Sequence, residues 1–226
     1  MSQIGTLSEN SLHAALKGWY GRPGDRFEVS VDGFVIDIVR DDLLIEIQTR
    51  HLYALRPKLA ALLPRHPVRL VHPIPREKWI VRVDANDAPL SRRKSPKRGS
   101  VLHLFDELVR LPTLLAHPNL TLEALLTRQE EVWRDDGQGS WRRRRWSVAD
   151  RRLLDVGERA LFGAPEDLLR LLPAEWERPF TNQELAAALH CPVGLARKMS
   201  YTLRQLELLA VVGKRGREHV HVVQRP

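Results

Sequence analysis

The sequence predicts an α/β (α+β) chain. A helix, a three-strand meander, a helix and a strand come first; a mostly helical region follows, and a helical pair with a hairpin closes the chain. Three observations predict this order. Residues 26–39 alternate apolar and polar around Asp32-Gly33, the dipeptide of a tight hairpin turn. Leucines at 52, 55, 59, 62 and 63 recur at helical spacing. Thr181, with Glu184 three residues on, is the signature of a capped helix start.

The first helix runs from about Leu7 to Tyr20. Ser8 is its candidate cap, and Leu12, Ala15, Leu16 and Trp19 form one face. Gly21-Arg22-Pro23-Gly24 stops it. Strands are expected at about 26–31, 34–39 and 43–49, the last two joined by a turn at Asp41-Asp42. A helix over Leu52–Leu63 leads to a fourth strand, Val68–Ile74, which Pro73 and Pro75 are expected to end. Lys78–Asp84 reads as a further strand, and Ser91–Gly99 as a basic loop.

Helices are then expected at about 101–110, 121–132, 148–161 and 166–172, with a glycine-containing loop over 135–147. In the last segment a helix capped by Thr181 is followed by a turn at Cys191-Pro192-Val193-Gly194. A second helix, Leu195–Leu209, precedes two strand-like runs around Gly213-Lys214-Arg215-Gly216. Two helices with a tight turn and then a hairpin describe a winged helix-turn-helix. The chain therefore divides into residues 1–90, a basic loop and helical linker region over 91–162, and residues 163–226.

With 36 Lys+Arg against 28 Asp+Glu, the formal net charge is +8, which favours polyanionic partners and above all nucleic acid. No apolar run reaches the roughly 18–20 residues of a membrane helix, and the N-terminus lacks a secretory pattern, so the expected compartment is the cytoplasm. The single cysteine, Cys191, excludes an internal disulfide and a multi-cysteine metal site. His219 and His221 alternate in the last strand and are expected to face one side, as a weak metal pair only.

Asp37 interrupts the apolar run FVIDIV, and Glu46 interrupts LLIEIQT. In a strand Glu46 and Gln48 share a face, and the turn at Asp41-Asp42 lies nearly midway between Asp37 and Glu46, which can set them side by side. An acidic residue in a strand is ordinarily on a solvated face. Two neighbouring carboxylates on apolar strands instead repel each other and resist desolvation, and a hard divalent cation relieves both problems.

A helix bearing Glu9, a hairpin strand bearing Asp37, and Glu46-Ile47-Gln48 on the next strand, followed by a helix and a strand, resemble the PD-(D/E)xK (restriction endonuclease-like) nuclease superfamily. The resemblance covers about Ser8 to Pro75. It implies a nuclease-like core in which Asp37 and Glu46 bind Mg²⁺ or Mn²⁺, with the Ile47 carbonyl as a third ligand. It also implies that Glu9 assists from the helix and that Gln48 stands where the superfamily usually has lysine. Ile36 replaces the usual proline. An amide at 48 supplies no positive charge to a transition state, so catalysis rests on less than the full pattern.

The expected function is that of a DNA-acting protein, a divalent-metal-dependent endonuclease hydrolysing phosphodiester bonds. The alternative is a catalytically inactive nuclease fold that binds DNA or regulates transcription. Candidate DNA contacts are Arg197, Lys198 and Arg204 on the second C-terminal helix, and Lys214, Arg215 and Arg217 at the hairpin tip. Arg142, Arg143, Arg144 and Arg145, between Trp141 and Trp146, can clamp a phosphate backbone or simply pack at a junction. Nucleases of this type often work as dimers, so a homodimer stays open.

Overall fold

The computed structural model describes residues 11–84, 86–136, 146–173, 176 and 178–224. The helices are α1 (Ser11–Tyr20), α2 (Arg56–Leu62), α3 (Phe105–Leu108), α4 (Pro112–Leu115), α5 (Asn182–Ala188) and α6 (Val193–Gln205). The strands are β1 (Arg26–Val31), β2 (Phe34–Arg40), β3 (Leu43–Ile47), β4 (Val68–Val83), β5 (Pro89–Lys94), β6 (Leu120–Arg134), β7 (Ser147–Phe162), β8 (Phe180–Thr181), β9 (Leu209–Arg215) and β10 (Glu218–Val223). Short 3-10 turns occupy Leu52–Leu55, Val101–Leu104 and Pro165–Leu171.

The structure is mixed α/β, built on a seven-stranded sheet ordered β1-β2-β3-β4-β6-β7, with β5 on the far part of β4. β3–β4 and β4–β6 are parallel pairs, and the other pairs are antiparallel. The β1–β2 turn takes positive φ at Asp32 (50°) and Gly33 (82°), the conformation that an Asp-Gly hairpin favours. β8, β10 and β9 form a separate three-stranded sheet.

Each face of the large sheet buries its own core. Leu12, Leu16 and Tyr20 of α1 pack on Ile38, Ile45, Ile47, Val71 and Leu125. On the opposite face Leu59 and Leu62 of α2 join Leu44, Leu70 and Leu122. That second cluster continues without a break through Phe105 and Leu108 into Leu185, Met199 and Leu203 of the C-terminal helices. Both faces of the strands from β2 to β6 are thus covered, which is the condition for parallel pairing.

Of the helical middle expected over 91–162, only stretches within 101–115 are helical among the described residues, as the turn Val101–Leu104, α3 and α4. Residues 121–132 and 148–161 are the bulk of two long strands, β6 and β7, which pair antiparallel from Leu122↔Phe162 to Arg134↔Ser147. Leucine, glutamate, glutamine and arginine favour helix locally, but a full ladder on β4 outweighs so weak a preference. Residues 91–94 of the basic loop belong to β5, which also pairs with β4, so this region is part of the sheet and not a helical linker.

β4 also runs through the two prolines that were expected to end it. Val71 offers its carbonyl to Gln48 N–H at 2.9 Å on the β3 side, and by alternation Pro73 and Pro75 direct their backbone to that same side. There β3 pairs only as far as Val71, and β5 begins only at Trp79. The missing proline donors therefore fall where no strand stands. The Pro75 carbonyl is taken by Gly99 N–H at 2.9 Å, and a Cβ on Gly99 would meet that oxygen at 2.6 Å, so only glycine fits.

Candidate active site

Strand register brings the two acidic positions together. Ile38 pairs with Ile45, so one step along the antiparallel pair Asp37 stands opposite Glu46. Asp37 N–H donates to Glu46 Oε1 at 3.4 Å, and Ile47 N–H donates to Asp37 Oδ2 at 2.8 Å. Both carboxylates are largely withdrawn from water, with Glu46 only 4% exposed.

A histidine and a lysine reach the pair from opposite faces of the sheet. His13 on α1 places Nε2 3.1 Å from Asp37 Oδ2. Lys58 on α2 places Nζ 2.5 Å from Glu46 Oε1. Burial alone would lift the Asp37 carboxyl, but the His13 and Ile47 hydrogen bonds outweigh it and hold the group below the usual carboxylate range. Glu46 goes the other way: burial, then repulsion from Asp37, push it up to about 6 despite the Lys58 ammonium. The site is a carboxylate pair of split acidity, with a fixed cation on the weaker acid, Glu46.

Neither His13 nor Lys58 stood out in the sequence. Gln48 shares the Glu46 face by alternation, yet its side-chain N–H₂ donates to the Arg50 carbonyl at 2.6 Å. It is Lys58 that brings a positive charge to the acids. Beside them, buried His72 has Nδ1 2.7 Å from the Gln48 carbonyl, and burial pushes its imidazole down towards the neutral form. Glu9 lies outside the described residues.

Residues 10–163 match a family described as Domain of unknown function (DUF8091). The chain belongs to this family. An uncharacterized protein of Treponema pallidum (strain Nichols) is 32% identical over 227 residues, covering 99% of this chain and 88% of that protein. No solved structure matches. The DUF8091 match opens at α1 and closes just after β7, so it holds His13, Asp37, Glu46 and Lys58 and the whole seven-stranded sheet. The C-terminal helices and the small sheet lie beyond it.

The basic candidates are scattered more widely. Arg142 to Arg145 lie outside the described residues; Trp146 stacks beneath Arg82, whose guanidinium carbon is 5.0 Å from the ring centre. On α6, Arg197 is exposed and Arg204 half-buried, while Lys198 pairs with Asp106 of α3 at 2.7 Å. At the β9–β10 turn Lys214 and Arg217 are exposed, whereas Arg215 pairs with Glu184 at 2.7 Å. The capping box that starts α5 is present: Thr181 N–H donates to Glu184 Oε2 at 2.7 Å, and Glu184 N–H to Thr181 Oγ1 at 3.3 Å. His219 and His221 do not share a side: a bulge after Val220 leaves His219 exposed and His221 1% exposed. Among the described residues no helix is long and apolar enough to cross a membrane.

Proposed function

We propose that this DUF8091 protein is a divalent-metal-dependent nuclease acting on DNA, with Asp37 and Glu46 as its acidic pair. One observation carries the reading: two buried carboxylates abut on neighbouring strands, and Glu46 is pushed up to about 6 partly by the charge of Asp37. A fold gains nothing from holding like charges together in a dry place, whereas a metal site needs it. The pair fits Mg²⁺ or Mn²⁺, whose preferred ligands are oxygens, and the bound ion would lower the pKa of a water and steady the charge on an attacked phosphate.

The chain's own groups have distinct tasks in this reading. His13 and Ile47 N–H keep Asp37 ionised and fix its carboxylate. Lys58 takes the place left by Gln48, offering from α2 the positive charge that the superfamily pattern carries on the strand. Hydrolysis adds a water oxygen to phosphorus and breaks a P–O ester bond, and the leaving oxygen takes up a proton. The order α5, α6, β9, β10 supports a winged helix, with Arg197 and the Lys214–Arg217 turn as its cationic face for DNA.

Incubation with plasmid, single-stranded and branched DNA in Mn²⁺ tests the proposal. Cleavage lost in both Asp37→Ala and Glu46→Ala is the expected result. Cleavage unchanged in either variant refutes the site. Salt-sensitive DNA binding with no metal uptake and no cleavage would leave the nuclease-fold scaffold as the reading, consistent with the turned-away Gln48 side chain.

A further inference from the structure

The edge of β4 left open between β3 and β5 also lines a cleft of about 360 Å³. Thr49 and Arg50, directly after Gln48, form one wall, and Leu12, the neighbour of His13, another. The volume is within the roughly 300–1,000 Å³ of small-ligand sites. Pro73, Ile74 and Pro75 are its apolar lining along β4.

Two buried polar groups in this cleft are incompletely used. Gln129, 3% exposed, donates one side-chain N–H to Thr127 Oγ1 at 2.8 Å; its carbonyl oxygen and second N–H have no partner among the described residues. His72, 8% exposed, spends Nδ1 on the Gln48 carbonyl, which leaves Nε2 of the neutral ring as an acceptor. By contrast the buried Glu131 carboxylate is fully engaged by Lys78 at 3.0 Å and Arg151 at 3.2 Å. At the mouth Arg50, Lys97 and Arg98 are exposed and make no ion pair among the described residues.

A buried amide on β6, an imidazole further back along β4, an apolar lining and a cationic rim match one ligand chemistry. The Gln129 amide, held beside Thr127, suits the hydrogen-bonding edge of a nucleobase, the apolar lining suits its face, and the rim suits the flanking phosphates. A base stacked in duplex cannot enter. We propose that this cleft holds one unpaired nucleotide, so that the protein acts on single-stranded or frayed DNA. The proposal rests on the nuclease reading for its biological use, but not for its geometry.

Fluorescence anisotropy with the full chain in EDTA, which suppresses cleavage, tests it, using a labelled 12-nucleotide single strand and the duplex of the same sequence. The single strand should bind at least tenfold tighter, and Gln129→Leu should erase about tenfold of that with no change for duplex, as loss of one buried hydrogen bond implies. Should Gln129→Leu fail to fold, the surface variant Lys97→Ala/Arg98→Ala must weaken single-strand binding by a comparable factor. Equal affinity for single strand and duplex overturns the proposal, as does a folded Gln129→Leu with wild-type affinity, or tighter binding of the matching RNA. The two readings fail separately: Asp37→Asn should bind the single strand like wild type even though its cleavage is lost. Metal-dependent cleavage without single-strand preference sinks the cleft alone.

Discussion

Glu46→Gln should make the protein more stable at neutral pH, by an amount the site itself sets. Glu46 is almost fully buried, and its carboxyl is pushed from the ordinary 4.5 to about 6, by burial first and by Asp37 second. The native state therefore prefers the protonated form, and above pH 6 the charged form costs stability. About one and a half pH units at about 1.36 kcal/mol each gives about 2 kcal/mol. The sign follows from proton counting: between 4.5 and about 6 the native chain binds the proton that the unfolded chain has released, so stability falls as pH rises through this window. Glutamine mimics the protonated carboxyl. Urea unfolding at pH 7.5 should show Glu46→Gln more stable than wild type by about 2 kcal/mol, with the gap closing near pH 4.5. Mn²⁺ should stabilise wild type and leave the variant unmoved. If Glu46→Gln is less stable at pH 7.5, or differs by an amount independent of pH, the Lys58–Glu46 contact is a structural ion pair and the strained-acid argument fails.

Two further outcomes follow from the C-terminal part. Buried His221 has neither ring nitrogen partnered among the described residues, and burial, then the nearby Arg204 charge, lower its pKa. The unfolded chain takes up this proton first, so wild-type stability should fall as pH drops below about 6.5, and His221→Phe should flatten that acid limb in thermal melts; an unchanged limb would refute it. At the β9–β10 turn, Lys214→Ala and Arg217→Ala should each reduce the slope of log affinity against log salt on duplex DNA by about 0.9, one phosphate apiece. A slope that stays put places DNA elsewhere.

What the sequence revealed and what it hid divide along physical lines. The meander was legible because its signals are local: Asp32-Gly33 takes the positive φ it favours, and apolar alternation sets the faces. The Asp41-Asp42 turn then sets the β2–β3 register that brings Asp37 opposite Glu46. β6 was not legible because what makes it a strand is a partner some fifty residues away, such as Leu70 for Leu122, and β7 is a strand because it pairs on β6, while the composition of both favours helix. Lys58 was hidden for a related reason. Its reach to Glu46 depends on how α2 is rotated over the sheet, which the packing of Leu59 and Leu62 decides and no spacing within the helix records. His13 left a faint trace, since it lies four residues after Glu9, the spacing of one helix face.

The prolines of β4 tie the acidic pair to the cleft beside it. Val71 is the last residue of β4 to pair with β3, and Gln48 N–H is the last donor that β4 accepts from that side before Pro73 and Pro75. With no N–H at 73 or 75, a longer β3 would find no donors to meet, so the chain leaves the sheet at Gln48 and turns through His51 at φ 53°. That departure opens the edge of β4, with His72 behind it and Gln129 on the adjoining strand. Glu46 sits two residues before the departure point, at the boundary between the packed sheet and the open edge. A carboxylate deeper in β3 would be sealed between two helical layers, and one further along would be in water. The position where β3 must stop thus sets the buried acid two residues from the open edge of β4.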